Sequence, residues 1–545
     1  MKKLFMKIAA IVFAAISVLS CAACGASAEI PKAPNYKRTL SNNKQFVYYA
    51  YSGVNGGSTE IKGYDWYTGR SFITLEHFKQ YKDNGFDVIM PQSLAVTKEM
   101  WDLCLELGQQ ADLKVLLNDG RIYQGVSKDP NVVGGKTYTS DKALDADVQT
   151  WMSDYMDHPA FYGIMLSDEV KDYELDGSYG KLYKSVRRVL DANGLEDAVI
   201  HANAMDMASY ASYKNHNPET RIWTEISRES YCEVLDWDVE DFTDITDAEF
   251  YNRVEDAVAD AGALSRDLQM ELMWRRYGAF CDKFFEKTGA KDLAIDWYPL
   301  YDTAVDYMIT SLQVAAESCK KYDAELRCVA QSNRYINKMD SANDARSYSE
   351  DDMRWMNDIM LAFGVKSIMY FCYYVHPDDN TAYFLESCSF VTWYGEQTNL
   401  GKFMEKVFAD NQRFAPTILN FKYQATKIVS GNTRLYQEGY ARYAKDCGEF
   451  TVLEQVKTDK ETSMITELYH ERKNNYMYGV VNLVDPINKG APTYQTVTLT
   501  FSDKYDYAVI WKEGQTWTVA LDNHSIEIEN AAGETTFVMP YYKKY

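Results

Sequence analysis

Residues 161–169 read FYGIMLSDE, an apolar run that ends in two adjacent acidic side chains. The uncharged stretch Phe161–Leu166 is typical of a strand that is buried on both faces, as the strands of parallel sheets are. Asp168 and Glu169 follow it almost directly, and a charged pair there is poor material for a core. The stretch therefore predicts a buried strand whose end presents acidic groups.

Seven more short apolar runs of this kind occur along the first three quarters of the chain, with helical periodicity between them. The runs are Phe46–Tyr51, Asp87–Pro91, Lys114–Leu117, Ala198–Ala202, Leu293–Trp297, Leu326–Ala330 and Ser367–Cys372. The helical stretches are Leu75–Asn84, Lys98–Gly108, Asp145–Met156, Gly180–Ala192, Met270–Lys287, Asp302–Lys321 and Asp351–Phe363. Several of them end at a glycine, as helix C-termini do.

Eight alternating strand and helix units predict a parallel sheet covered by helices, and eight units that close on themselves form an α/β TIM barrel, the (β/α)8 barrel. An open doubly wound sheet is the competing fold. It would place a glycine-rich dinucleotide turn after the first run, and none follows Phe46–Tyr51. The long stretch Met205–Asp292 between the fifth and sixth runs is either a lid at the C-terminal face of the barrel or a simple decoration.

After residue 422 the pattern changes to short alternating strands that are separated by turn residues. The predicted strands are Ala441–Tyr443, Thr451–Gln455, Tyr476–Leu483, Tyr494–Phe501, Tyr507–Trp511, Thr516–Leu521, His524–Ile528 and Thr535–Pro540. This pattern predicts a small antiparallel β-sandwich. We therefore expect the barrel over residues 41–422 and the sandwich over residues 423–545.

The N-terminus has the pattern of an export signal over residues 1–20. Three lysines precede the apolar segment Ile8–Leu19, which is too short to stop in the membrane. The sequence Val18–Cys21 then resembles a bacterial lipobox, so Cys21 is the expected lipidation site, with Cys24 as the alternative. A plain secretory signal with an incidental cysteine is the competing interpretation. We expect an exported protein with a tether over residues 21–40, lipid-anchored at a bacterial cell surface or facing the periplasm.

The formal charge of −22 limits the kinds of partner. Removal of residues 1–20 takes away three lysines and no acids, which makes the charge about −25. Such a field repels nucleic acid and anionic lipids, so we expect no nucleic-acid partner and no membrane contact other than the anchor. It favours neutral or cationic substrates. The oligomeric state is left open.

Ten cysteines are spread along the chain without the paired CxxC spacing of a zinc site or the framework of a disulfide-rich fold. Cys328 and Cys372 fall inside predicted buried strands, where a thiol acts as a small hydrophobic group. We expect mostly free, buried thiols. The pattern calls for no metal and no cofactor.

In a (β/α)8 barrel the chemical groups lie at the C-terminal ends of the strands. Carboxylates, amides and aromatic side chains dominate these positions here, which is what cleavage of a glycosidic bond requires: one acid for the leaving oxygen and a second group at the oxocarbenium-like centre. The candidate catalytic residues are Glu169, Asp168 and Asp296. The competing interpretations are that Asp168 caps the next helix, and that Asp296 is bonded to a neighbouring strand.

Further residues at the strand ends are candidates for binding a sugar. They are Trp66, Gln92, Asp119, His201, Asn203, Trp297, Tyr298, Gln331 and Tyr373. Flat aromatic faces suit pyranose rings, and polar side chains suit hydroxyl groups. Ordinary roles compete with each assignment: core packing for the aromatic side chains and His201, and a turn for Asp119 before Gly120.

The motifs MPQS (90–93), LLNDGR (116–121), HPAFYGIMLSDE (158–169), IDWYPLY (295–301) and GVKSIMYFCYY (364–374) together resemble clan A glycoside hydrolases, in particular their β-galactosidase-like branch. The C-terminal stretches 476–486, 505–514 and 526–541 resemble the β-sandwich that often follows such barrels. The resemblance implies that strand four presents the acid/base glutamate, which corresponds to Glu169 here.

Two positions depart from the clan pattern. Clan A has Asn before the acid/base Glu, where this chain has Asp168, and its nucleophile is a Glu after strand seven, where this chain has Gln331. Three interpretations remain. Asp296 or Asp119 supplies the second carboxylate, as in an inverting reaction; Asp168 and Glu169 act as in substrate-assisted N-acetylhexosaminidases; or catalysis is lost and a glycan-binding surface lipoprotein remains.

We take the first as the working hypothesis. The chain is then a glycosidase that cleaves an extracellular oligo- or polysaccharide, with Glu169 as the general acid.

Overall fold

The computed structural model describes residues 46–54, 73–91, 97–207, 209–210, 226–259, 265–300, 305–332, 335–337, 348–374, 383–385, 389–392, 395–429, 443–459, 462–470, 473–484 and 494–542. Eight parallel strands close into a barrel in their order along the chain. They are β1 (Val47–Val54), β2 (Val88–Pro91), β3 (Lys114–Leu117), β4 (Phe161–Ser167), β5 (Val199–Ala204), β6 (Asp292–Trp297), β7 (Glu325–Gln331) and β8 (Ser367–Phe371). The predicted (β/α)8 barrel is confirmed, and each strand overlaps one of the eight apolar runs.

Helices connect the strands and cover the barrel. Those of eight or more residues are α1 (Leu75–Asp83), α2 (Lys98–Gln110), α3 (Asp141–Met152), α4 (Tyr179–Ala192), α5 (Arg228–Leu235), α6 (Asp247–Ala259), α7 (Arg266–Thr288), α8 (Val305–Tyr322), α9 (Glu350–Ala362) and α10 (Asn399–Ile418). Thr74, Thr97 and Ser140 cap α1, α2 and α3 by accepting a backbone N–H of the first turn. In the described part of the chain, no helix is both long and apolar enough to span a bilayer.

The alternation of side chains along the strands divides the barrel into two packed layers. In β1, Tyr49 and Tyr51 point into the barrel, whereas Tyr48 and Ala50 pack in the layer between strands and helices. The approach of β4 to β5 is so close that a Cβ at Gly163 would lie 2.0 Å from the carbonyl oxygen of Val199. Only glycine fits there, so the FYGIML run requires its glycine for packing.

The C-terminal part consists of two antiparallel sheets that share a buried core. Its strands are β9 (Lys422–Val429), β10 (Leu453–Thr458), β11 (Ser463–His470), β12 (Asn475–Asn482), β13 (Gln495–Phe501), β14 (Tyr507–Lys512), β15 (Gln515–Ala520), β16 (Ser525–Asn530) and β17 (Thr535–Tyr541). The larger sheet has the order β9-β11-β12-β17-β14-β15, and the smaller one has the order β10-β13-β16. The predicted β-rich C-terminal fold is confirmed.

The sequence analysis did not predict β9 and β11. Both faces of β11 are buried, because Met464 and Leu468 pack toward the barrel while Ile465 and Tyr469 pack into the core between the two sheets. A strand buried on both faces lacks the polar alternation that reveals a half-exposed strand. The predicted strand Ala441–Tyr443 lies mostly outside the described residues, and Tyr443 is in a turn.

The larger sheet packs directly on the helical layer of the barrel. Gly479 in β12 lies against α9, where an added Cβ would approach Ala362 Cβ and Thr466 Oγ1 to 2.8 Å each. Lys366, at the base of β8, donates to the carbonyl oxygens of Ile418 and Phe421, the latter just before β9. The barrel and the C-terminal sheets are therefore joined by a packed apolar interface with buried hydrogen bonds.

We expect Gly479→Ala to lower the free energy of unfolding by about 1–3 kcal/mol, because the added methyl group overpacks this interface. Thermal unfolding followed by circular dichroism measures it. Gly120→Ala is the matched control, since no atom lies within 4 Å of its added Cβ. Equal melting temperatures for Gly479→Ala and the wild type would contradict the described packing.

Candidate active site

Three neighbouring strands bring an amide and two carboxylates together at the mouth of the barrel. Asp168 follows the last residue of β4, Asn203 is in β5, and Asp296 is in β6. Asn203 and Asp296 are buried, with 1% and 5% of their surface exposed, whereas Asp168 is exposed. The mouth therefore has a buried polar floor with an open carboxylate beside it.

The Asn203 amide connects the two carboxylates. Its Nδ2 donates to Asp168 Oδ1 and to Asp296 Oδ1, each at 2.9 Å. The two oxygens therefore lie at most about 5.8 Å apart (twice 2.9 Å), and about 5 Å apart if the two N–H bonds diverge at roughly 120°. The Asn203 Oδ1 is buried without a hydrogen-bond partner among the described residues, an arrangement that costs stability.

Tyr51 holds the outer carboxylate from the opposite side. Its hydroxyl donates to Asp168 Oδ2 at 2.8 Å, so both oxygens of Asp168 accept a hydrogen bond. The Tyr51 ring contacts Phe371 edge-on, with centroids 5.1 Å apart, and Tyr298 stacks on Phe371 at 6.2 Å. These three rings give the mouth an aromatic wall next to the carboxylates, which is the kind of surface that sugar rings pack against.

Burial raises the pKa of Asp296 well above its usual value. The neighbouring carboxylates Asp168, Glu169 and Asp206 raise it further, and the hydrogen bond from Asn203 opposes them. Asp296 therefore takes up a proton more readily than an exposed aspartate does. Its Oδ1 accepts from Asn203, and its Oδ2 has no hydrogen-bond partner in the described part of the chain, which leaves that oxygen for a ligand.

Glu169 lies beside this pair on a sharply turned backbone. Its φ of 50° is in the left-handed region, which costs an L-residue roughly 1–2 kcal/mol. The turn is held by the Val170 N–H, which donates to the Asn203 carbonyl at 3.0 Å. Burial raises the pKa of Glu169, and Lys171, whose Nζ lies 3.5 Å from Glu169 Oε2, only partly offsets this effect. Its side chain is 45% exposed.

Sequence reasoning missed four residues of the mouth. Asp206, two residues after β5, is buried and accepts from Ser209, and its charge raises the pKa of Asp296 and of Glu169. Tyr123 is close enough to Asp168 and Glu169 for their charges, together with burial, to raise its pKa to about 12. Tyr51 and Phe371 are the other two. The signal that could have indicated Tyr51 and Phe371 is the alternation of inward-facing and outward-facing side chains along β1 and β8.

Four predicted sugar-binding residues have their side chains engaged elsewhere. Asp119 forms an ion pair with Arg121 at 2.7 Å and accepts from the Tyr155 hydroxyl at 3.0 Å. Trp297 is fully buried and donates its ring N–H to the Met308 carbonyl at 2.9 Å.

Tyr373 is buried, accepts from Asn84 at 2.6 Å and stacks on Tyr81 at 3.9 Å. Gln331 is buried and accepts from the Leu300 N–H at 3.1 Å. These contacts place Asp119, Trp297 and Tyr373 within the packed core, whereas Gln331 follows inward-facing Val329 by two residues and pairs in register with Phe371 of the aromatic wall.

His201 lies one inward position below Asn203 in β5 and is buried. Burial and the nearby Arg327 lower its pKa to about 3, so the ring is neutral at neutral pH. Its Nε2 has no hydrogen-bond partner among the described residues. His201 is therefore part of the floor beneath the amide bridge.

Several predicted residues lie outside the described part of the chain: Trp66, Gln92, Cys21 and Cys24. Within the described residues, no group of three or more His, Cys, Asp or Glu side chains is arranged to hold a metal ion. Cys104, Cys281, Cys319 and Cys328 are buried thiols outside any disulfide.

No known protein-family model matches the chain, and no curated protein matches it. Among solved structures it is similar to a β-galactosidase from Marinomonas ef1, with 12% identity, a TM-score of 0.37, and coverage of 68% of this chain and 60% of that one. A GH27 β-L-arabinopyranosidase from Geobacillus stearothermophilus has 10% identity and a TM-score of 0.44, with 91% and 96% covered.

A cycloisomaltooligosaccharide glucanotransferase from Paenibacillus sp. has 8% identity and a TM-score of 0.45, with 92% of this chain and 86% of that one covered. At these identities and scores, the likenesses carry no argument about what this chain does.

We expect Asp296→Asn to stabilise the protein increasingly as the pH rises. Because the folded-state pKa of Asp296 is raised, the folded state binds more protons than the unfolded state above pH ~4. The wild type therefore loses stability as the pH rises from about 4 toward the folded-state pKa, by about 1.4 kcal/mol per unit of pKa difference. The Asn variant does not suffer this loss.

Melting temperatures between pH 4.5 and 8 measure the effect. The exposed Asp503→Asn is the control and should show no trend. A melting-temperature difference between Asp296→Asn and the wild type that stays constant over this range would contradict the raised pKa.

Proposed function

We propose that the chain is a glycoside hydrolase whose catalytic pair is Asp168 and Asp296. The observation that carries the proposal is the single amide nitrogen of Asn203 that bonds both carboxylates. Glycoside hydrolysis needs two carboxyl groups that face the same bond in different protonation states. A raised pKa at buried Asp296 beside the exposed Asp168 supports that division of roles.

The separation of the pair supports a retaining reaction. Carboxyl groups are about 5–5.5 Å apart in retaining enzymes and about 6.5–9.5 Å apart in inverting ones, which need room for a water molecule. The oxygens bridged by Asn203 can be no more than about 5.8 Å apart, twice its 2.9 Å contacts. In this arrangement Asp168 attacks the anomeric carbon, and Asp296 protonates the leaving oxygen from Oδ2 and later activates water.

Glu169 is the alternative general acid. It also has a raised pKa, and its partly exposed side chain can reach a substrate that lies over the mouth. With Glu169 as the acid and Asp168 orienting an N-acetyl group, the same residues would support substrate-assisted cleavage of an N-acetylhexosaminide. In the first arrangement Asp296 is the general acid, whereas in the second Glu169 takes that role and Asp296 is not needed for it.

The charges at the mouth favour a neutral or amino sugar. The charges of Asp168 and Asp206 raise the pKa of both Glu169 and Asp296, and Lys171 partly offsets this effect at Glu169. A uronate or sulfated sugar would be repelled by this field. Together with the export signal and lipobox, this supports cleavage of an external neutral oligo- or polysaccharide by a lipid-anchored protein.

Hydrolysis of a panel of aryl glycosides, including N-acetylhexosaminides, tests the proposal with the wild type and three variants. We expect Asp168→Asn to abolish turnover, with azide restoring it as a glycosyl azide. Asp296→Asn should lose about 10²–10⁴-fold on poor leaving groups and much less on activated ones, because only poor ones need the acid. It should also lose the alkaline limb of the kcat/KM profile.

Glu169→Gln separates the two arrangements. A loss below about tenfold fits Asp296 as the acid, whereas a loss of several orders of magnitude on N-acetylhexosaminides, with Asp296→Asn nearly unaffected, assigns the acid to Glu169. If Asp168→Asn and Asp296→Asn both keep wild-type rates on a cleaved substrate, the catalytic pair is wrong. Binding of glycans without cleavage of any would favour a non-catalytic glycan-binding lipoprotein.

A further inference from the structure

A groove opens between β15 and β16, two consecutive strands that enter different sheets of the C-terminal domain. At the turn between them, Asp522 and Ser525 exchange two backbone hydrogen bonds of 2.9 Å. Asn523 and His524 make that turn with φ of 47° and 61°. The strands start side by side and then diverge, and the space between them has a volume of about 580 Å³. Small-molecule sites usually measure roughly 300–1,000 Å³.

One wall of the groove carries an exposed tryptophan, on the face of the larger sheet that is buried at the neighbouring strand β14. Trp517 in β15 lies opposite Ile510 in β14, so the two share a face, and Ile510 is in the core between the sheets. The smaller sheet has three strands against six and does not cover β15, which leaves Trp517 44% exposed. Ile526 and Ile528 line the opposite wall.

Polar groups with spare hydrogen-bonding capacity also line the groove. Glu527 and Glu529 alternate with Ile526 and Ile528 along β16, so they lie at the outer edge of the groove and not on its inner wall. Both are exposed, and their carboxylates have no ion-pair partner within the described ranges. The Lys512 ammonium is already used: it pairs with Glu534 at 2.6 Å and donates to the Glu529 carbonyl at 3.0 Å. Glu527, Glu529 and Asp522 give the groove a negative charge, and their carboxylates can accept hydrogen bonds from a ligand.

We propose that this groove is a second carbohydrate-binding site, in which a neutral oligosaccharide packs a pyranose face on Trp517 and donates its hydroxyl groups to Glu527 and Glu529. A flat aromatic face beside carboxylate acceptors matches a ring with an apolar face and a hydroxyl rim. The acidic lining excludes anionic polymers, and the formal charge of −22 on each chain opposes a second copy as the occupant. The site lies outside the barrel, so binding there does not depend on catalysis.

Affinity electrophoresis of the full chain through gels that contain xylan, galactomannan, mixed-linkage β-glucan or soluble starch tests the site. The chain carries Asp168→Asn throughout, because both proposed arrangements need Asp168, so that hydrolysis does not alter the polymer. We expect at least one polymer to retard it and Trp517→Ala to weaken that binding about tenfold or more. Trp517→Tyr, which keeps a flat ring, should retain most of the affinity.

Tyr494→Ala is the matched control, because Tyr494 is an aromatic residue of the same domain that is 51% exposed and does not line the groove. It should bind like the parent. Melting curves check that each variant folds. If Trp517→Ala does not fold, Trp517→Thr takes its place, because threonine suits an exposed strand position and also removes the ring.

Retardation that is unchanged when the Trp517 ring is removed would overturn the proposal, since binding would then lie elsewhere. No retardation by any of the four polymers would also overturn it. So would a concentration-dependent dimer that Trp517→Ala abolishes, because a second copy would then fill the groove. None of these outcomes bears on hydrolysis in the barrel, which the aryl glycosides test separately.

Discussion

The arrangement of the mouth depends on one side chain, the Asn203 amide that bonds Asp168 and Asp296 with the same nitrogen. Two carboxyl groups brought this close repel each other when both are ionised, so a donor between them and a proton on one of them must hold them together. The amide fixes their separation, and burial raises the pKa of Asp296, which favours a proton there. The proposed reaction follows from these two facts.

The barrel makes this arrangement possible at a cost in stability. Alternation along β5 and β6 points Asn203 and Asp296 inward at neighbouring strand ends, where a continuous apolar core would be more stable. Two unfavourable features occur at the same place: the buried Asn203 Oδ1 has no hydrogen-bond partner among the described residues, and the backbone of Glu169 is in the left-handed region. Unfavourable backbone conformations and unpaired polar atoms that cluster around one group of residues are characteristic of sites retained for function rather than for folding.

The sequence predicted the features that depend on pattern and missed those that depend on three-dimensional contact. Eight apolar runs located all eight barrel strands, and reading the strand ends located Asp168, Asn203 and Asp296. Side chains alternate along a strand, so an inward-facing Asp296 already implies that Trp297 faces outward. The structure places Trp297 in the helical layer, as this rule predicts. Asp206 and the bridging role of Asn203 could not be predicted, because they arise from the register of neighbouring strands.

In the proposed reaction, Asp168 forms a covalent bond to the sugar while Asp296 supplies the proton. Trapping with a 2-deoxy-2-fluoro glycoside that bears an activated leaving group, followed by peptide mass spectrometry, tests it most directly, with the sugar chosen from the panel that the wild type cleaves. We expect one added fluoroglycosyl group on the peptide that contains residues 161–171, at Asp168. A label on another carboxylate, or rapid turnover with no label and an inverted product, would contradict it.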